Sequence, residues 1–327
     1  MRVAAWIFAL HLVSAVSIAS AEPVRVGIPE PNNLQYLSFW VAYGAGLFKA
    51  EGLDVEIVYP DVPNQSGMLL MQQRVDVSLM QPPVYLGMIA DQQPFQLFAN
   101  LLANDPINLI VRTDVAQRLK LDRRMPLAVR LKAIKGLKIA VAPEPQRRLR
   151  VLFAHAGLDA DRDLQIVVRR ADDQMDALEH GEVDALYIHT PILQDALVRK
   201  VAVLLVDQSS GEVPPLAGGQ IHALGATRAY IAAHPDVIAK MTRAIARAQA
   251  LIRRDRAAAV DALVTAGVQA PSRAHLETIV RLYAPAVPRA PTVSAEGLER
   301  NTRLYPARST MPDFSRMAAS GFVFNAR

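Results

Sequence analysis

Two triplets of one composition, Pro29-Glu30-Pro31 and Pro143-Glu144-Pro145, each set a carboxylate in a short stretch that no strand can absorb, because proline fixes φ and removes a backbone donor. Such a carboxylate accepts hydrogen bonds from an amine or a ring N–H; at a helix start it also favours the positive end of the dipole. Two further runs end in polar side chains followed by proline, Gln81-Pro82-Pro83 and Tyr187-Ile188-His189-Thr190-Pro191. His189 titrates closest to neutral pH, and as a neutral ring it is a hydrogen-bonding group. Asn33, in the loop after the first triplet, and His222, near a late apolar run, complete this set. The set recognises rather than reacts, since none of these residues is paired as nucleophile and base.

Other chemistry is missing. No Gly-x-Gly-x-x-Gly follows a strand, for Gly44-x-Gly46 has Lys49 where the third glycine belongs. Neither a phosphate-cradling Gly-x-x-x-x-Gly-Lys nor a Gly-x-Ser-x-Gly occurs. The 7 histidines are scattered without ligand spacing, and with 0 cysteines there is no thiolate nucleophile or thiolate metal site. Asp172-Asp173 opens a helical stretch, where capping accounts for it. The expectation is a protein without catalytic residues, metal or cofactor.

The elements that position these groups alternate. Residues 24–28 read as a strand entering the loop that ends at Asn33. Trp40, Val41, Gly44, Leu47 and Phe48 fall on one helical stripe closed by Gly52, and a strand follows at 55–58. A helix from Ser66, a strand at 74–80, a helix to Ile89 and a strand at 95–101 complete a first set. Residues 104–111 look like a crossing strand, and the basic stretch after it like a surface insertion. A second set has strands at 137–142, 164–168, 183–188 and 201–206 with helices between them. The chain returns through 221–226 and becomes largely helical from Ala229, ending in a Pro- and Arg-rich tail.

Landmarks recur in one order. Pro29-Glu30-Pro31, Gly52-Leu53-Asp54 and Val75-Asp76 are echoed by Pro143-Glu144-Pro145, Gly157-Leu158-Asp159 and Val183-Asp184, at offsets of 114, 105 and 108 residues. Alternating strands and helices imply mostly parallel sheets, whose ligands lie at the carboxyl ends of the strands. Two such units facing each other would bring both triplets and both proline-ended strands into one cleft.

The first 21 residues read as a signal peptide, with Arg2, an apolar run to Ile18 and Ala19-Ser20-Ala21 before the cut. No later stretch has the roughly 18 unbroken apolar residues of a spanning helix. The formal charge of +5 is concentrated in 112–132 and 240–256. In the second run Met241, Ile245, Ala248 and Ile252 interleave at helical spacing, so its arginines line a solvated face and not a nucleic-acid site.

Val41-Ala42, Gly46-Leu47-Phe48, Glu51-Gly52-Leu53-Asp54-Val55, Arg74-Val75-Asp76 and Pro83 form a pattern that Ile134 to Val141 and Gly181 to Ala185 extend. Over about 24–233 it resembles the periplasmic substrate-binding proteins of nitrate/sulfonate/taurine-type ABC importers, a group that includes the NMT1-like, thiamine-pyrimidine-precursor branch. The resemblance implies an α/β, two-lobed type II periplasmic-binding fold: a signal peptide over 1–21, lobe one over 22–107 plus 220–327, lobe two over 108–219, and a hinge between them. It also implies a periplasmic monomer, a small-molecule solute, an inner-membrane permease as partner, and no nucleic acid. Ligand positions of the family map onto Tyr36, onto Asn64-Gln65-Ser66, onto Gln81, and onto the helix start with Glu144, Gln146 and Arg147. At that helix start anion-binding members have a Gly-Ser type sequence, and Pro143-Glu144-Pro145-Gln146 departs from it. The solute is therefore either sulfonate- or taurine-like, with Arg147 or Arg148 supplying charge, or a pyrimidine or amine met by Glu30 and Glu144. Rival readings are an enzyme of the same fold acting on a chorismate-pathway-like carboxylate and a ligand-sensing partner of a membrane receptor.

Overall fold

The computed structural model describes residues 21–62, 65–305, 311 and 321–325. The expected signal segment up to residue 20, and Asn64, lie outside the described residues. Ten strands are laid down in chain order: β1 Glu22–Gly27, β2 Leu53–Val58, β3 Val77–Met80, β4 Phe95–Leu102, β5 Asn108–Arg112, β6 Lys138–Val141, β7 Gln165–Val168, β8 Ala185–Ile188, β9 Ala202–Val206 and β10 His222–Thr227. They build two five-stranded sheets, β2-β1-β3-β10-β4 and β7-β6-β8-β5-β9. Replacing β1, β2, β3, β4 and β10 by β6, β7, β8, β9 and β5 converts one order into the other. The recurring sequence landmarks thus correspond to two sheets of one design.

Each sheet is mixed. β1 pairs in parallel with β2 and β3, and β6 with β7 and β8. One reversed strand sits second from the edge: β10 is antiparallel to β3 and β4, and β5 to β8 and β9. That strand arrives from the far side of a crossing. β5 follows β4 of the first sheet and enters the second; β10 follows β9 of the second and enters the first.

The strands form because their apolar residues are buried by helices. In β1, Val24 and Val26 are fully buried, while Arg25 between them donates to Asp76 Oδ1 at 2.7 Å and fixes the approach to β3. The helix Pro235–Arg254 buries Val237, Ile238, Met241, Ala244, Ile245, Ala248 and Ile252, a stripe in which each side chain contributes up to about 1.5–3 kcal/mol of burial. Its Arg243 and Arg247 turn outward to Glu51 at 2.9 and 3.3 Å, the solvated face that the sequence pattern predicts.

Three expectations change. The helix expected through Phe48 is two helices, Leu37–Gly44 and Leu47–Ala50, with Gly46 left-handed at φ 67° between them. Gly44 lies against the helix Arg256–Thr265 so closely that a Cβ there would stand 1.8 Å from the Ala262 carbonyl oxygen. The stretch 112–132 is no surface insertion: it folds into helices Thr113–Arg118 and Leu127–Ala133, burying Val115, Leu131 and Arg130. Arg130 caps the Leu205 carbonyl and pairs with Glu212 at 3.1 Å. The tail is not only surface packing, since the helix Ala295–Leu304 delivers Tyr305 to the cavity described next.

Candidate functional site

Strands β1, β3, β6, β7 and β8 all end beside one cavity of about 750 Å³. After β1 the loop supplies Glu30, Asn33 and Gln35; after β3 come Gln81, Pro82 and Pro83. From the second sheet come Glu144 and Arg148 after β6, Arg170 and Asp172 after β7, and His189 after β8. Pro106 and Ile107 of the first crossing, and Ile221 and His222 at the entry to β10, close the base. The volume falls in the range of about 300–1,000 Å³ typical of small-molecule sites.

Gln35 joins the two sides. Its Oε1 accepts from His222 Nε2 at 3.0 Å, and its Nε2 lies 3.2 Å from His189 Nδ1. His189 Nδ1 also faces the Thr190 carbonyl oxygen at 2.5 Å. One nitrogen cannot accept from an amide and donate to a carbonyl at once, so these partners compete for the His189 tautomer. Burial lowers the pKa of His189, and it lowers that of His222 to about 3. Both rings are therefore neutral hydrogen-bonding groups near pH 7. His222 Nδ1 is buried with no partner among the described residues.

A second cluster lies under the cavity. Arg148, 6 % exposed, donates from Nη1 to Asp105 Oδ2 at 3.1 Å, to Asp105 Oδ1 at 3.3 Å and to the Tyr305 hydroxyl at 2.7 Å. Its guanidinium stands 4.8 Å from the Tyr305 ring centroid. Burial disfavours the charge on Arg148, but the facing Asp105 outweighs burial and the net shift is upward. Asp105 also accepts from the Ile107 amide at 2.9 Å, which holds the crossing in place. Removing either partner would leave an isolated buried charge, at a cost of about 3–5 kcal/mol.

Of the residues singled out in the sequence, Glu30, Asn33, Gln81, Glu144, His189 and His222 line the cavity. Glu30 accepts from Asn33 Nδ2 at 2.7 Å, and Asn33 in turn caps the Gln35 amide at 2.9 Å. The others stand elsewhere. Tyr36 is buried behind the wall with its ring 4.7 Å from that of His222 and its hydroxyl unpartnered among the described residues. Gln65 is exposed, and the Ser66 hydroxyl is turned inward to the Leu79 carbonyl at 2.7 Å. Tyr187 is fully buried and donates to Gln208 at 2.8 Å, while Thr190 accepts from Gln194 at 2.9 Å. Gln146 folds back onto the Pro143 carbonyl at 3.1 Å, and Arg147 is exposed.

Of the two arginines at that helix start, the one lining the cavity is Arg148 and not Arg147. A sequence signal existed: Leu149, Leu152 and Phe153 form the buried stripe of the helix Gln146–His155, and Arg148 lies on it one turn before Leu152. Gln35, Asp105 and Tyr305 were not singled out in the sequence. Tyr305 reaches the site only through long-range packing and had no local mark.

Two sheets of one strand order, joined by two crossings and with a cavity at the carboxyl ends of their parallel strands, are the α/β fold of periplasmic solute-binding proteins. This chain belongs to the NMT1-like family, whose sequence profile matches residues 19–266. Among solved structures it is similar to the alkanesulfonate-binding protein of Xanthomonas axonopodis pv. citri bound to MOPS, with 17% identity, TM-score 0.60, and 94% of this chain and 100% of that one covered. It is also similar to the periplasmic aliphatic sulphonate binding protein of Escherichia coli, at 18% identity, TM-score 0.62 and coverage of 86% and 85%. The periplasmic nitrate-binding protein of Synechocystis PCC 6803 follows at 14% identity, TM-score 0.50 and coverage of 72% and 63%. No match was found among curated protein sequences. Among the described residues no helix is long and apolar enough to cross a membrane.

Proposed function

We propose that the protein is the periplasmic solute-binding component of an ABC importer and captures a small organic solute between two lobes. The lobes would be residues 22–107 with 220–327 and residues 108–219, hinged at the two crossings. The observation that carries this reading is the cavity itself, which takes polar groups from the strand ends of both sheets and joins them through Gln35. The named activities of the structural neighbours, sulfonate and nitrate binding, support the class. A permease would read the closed, loaded form. The solute falls within the sulfonate- or taurine-like and the pyrimidine- or amine-bearing classes.

The test is a thermal-shift screen of refolded, solute-stripped protein against nitrate, alkanesulfonates, taurine, aromatic carboxylates, pyrimidines and short amines. A solute at about 100 times its dissociation constant adds about 2.7 kcal/mol of stability, which moves the midpoint by several degrees. At least one class is expected to do so with one-to-one stoichiometry. A panel without any stabilising member, together with unchanged solute uptake in a strain lacking the protein, would overturn the reading.

A further inference from the structure

The charges at the cavity do not balance. Five acidic or basic side chains line it: Glu30, Glu144, Asp172, Arg148 and Arg170. Each arginine has an acid of its own, Arg148 with Asp105 at 3.1 Å and Arg170 with Asp172 at 3.7 Å. Glu30 and Glu144 have no such counterpart: among the described residues no Lys, Arg or His lies within 4.0 Å of either carboxylate, and the polar partner of Glu30 is the neutral amide of Asn33. One of these acids follows β1 and the other follows β6, so each sheet contributes a carboxylate without a resident cation.

The backbone at the cavity points the same way. Oxyanion sites at helix starts depend on free N–H groups and an unopposed dipole. Three helices of eight or more residues begin here. Pro82–Ala90 has proline at its first two positions, so two donors are absent. Gln146–His155 keeps its first-turn N–H groups, but Glu144 stands two residues before its start. Ala171–Glu179 carries Asp172 and Asp173 in its first turn, and these fixed acids already occupy the dipole end. A nitrate or sulfonate in the cavity would meet two carboxylates that no resident cation compensates, an arrangement that rejects like charge.

We propose that the solute carries a positively charged nitrogen, an ammonium or amidinium group, neutralised by Glu30 and Glu144, and that oxyanions are excluded. This rests on the solute-binding reading above and narrows it. Its test is calorimetric titration of the solute-stripped protein with 1,4-diaminobutane and benzamidine in one arm and ethanesulfonate and nitrate in the other. A cationic probe is expected to bind, and the two anions are expected to give no heat at the same concentrations. Glu144→Gln and Glu30→Gln should each weaken the cationic probe by tenfold or more. Glu296→Gln, at an exposed helix position paired with Arg300, should leave it unchanged. Glu144 is exposed, so its amide variant keeps its fold, and an unshifted unfolding midpoint checks this.

Binding of ethanesulfonate or nitrate to the unmodified protein, strengthened by Glu144→Gln, would overturn the inference while leaving a solute-binding protein in place. Cation binding that both amide variants retain in full would overturn the role of the two glutamates. Silence in both arms would also overturn the inference, and the wider panel above then decides the broader reading separately.

Discussion

His222 shows what burial does to a polar side chain at this site. Its ring is packed against Tyr36 and bonded to Gln35, and burial holds its pKa near 3 against 6.5 for an exposed histidine. Between those values the unfolded chain binds one more proton than the folded one at this position. Its contribution to stability is therefore complete above about pH 6.5 and is lost as pH falls toward 3, by up to about 1.4 kcal/mol per pH unit. His189, lowered by burial as well, acts in the same direction. Urea midpoints measured from pH 7 to pH 5 should fall, and His222→Gln, which keeps a donor for Gln35, should flatten the profile by up to one proton. An identical slope in the variant would show that the ring titrates in the fold. The sequence made His222 and His189 visible because histidines beside strand ends stand out. Gln35 was not visible, because a glutamine acquires this role only when two distant histidines are brought to its two ends.

At the level of elements, alternation of apolar residues made all ten strands readable to within a few positions, and the proline-ended strands marked which ends face the cavity. The reversed strand in each sheet was not readable, since β5 and β10 have ordinary apolar sequences and their direction is set by the crossings. The break after Gly44 falls where Gly46 takes a left-handed φ of 67°, and what the pattern did not show is that Gly44 itself packs against the distant helix Arg256–Thr265. That contact gives a paired prediction. Gly44→Ala forces a methyl into the Ala262 carbonyl and should destabilise by about 1–3 kcal/mol or more. Gly87→Ala, inside the helix Pro82–Ala90 with nothing within 4 Å of the new Cβ, should stabilise by about 0.5–1 kcal/mol. Chemical denaturation of both variants checks the pair; equal and small effects would mean that the two helices can slide apart without cost.

Across the whole molecule, no strand is shared between the sheets, which meet through apolar clusters that take residues from both and through side-chain bridges over the crossings. Gln35 reaches His189 from the first sheet to the second, and Tyr305 meets Arg148 in the same sense. Farther from the cavity, the Tyr283 hydroxyl accepts from the Thr190 amide at 3.2 Å and donates to the Pro106 carbonyl at 3.1 Å. Thr190 follows β8 and Pro106 lies in the first crossing, so Tyr283 ties the second sheet to the point about which it would turn. Tyr283 does not line the cavity among the described residues, so under the two-lobed reading proposed above its loss would act through the balance of open and closed forms. A hydrogen bond of this kind contributes about 0.5–1.5 kcal/mol, so Tyr283→Phe should shift that balance toward the open form by about 2- to 12-fold for each bond lost. Apparent solute affinity falls by the same factor where the open form comes to dominate, because only the closed fraction binds with full strength. Small-angle scattering should show a larger radius of gyration for the solute-free variant than for the solute-free parent, and equal radii for the two at saturating solute. Equal radii without solute, combined with unchanged affinity, would mean that the two sheets move as one body and that the cavity fills without closure.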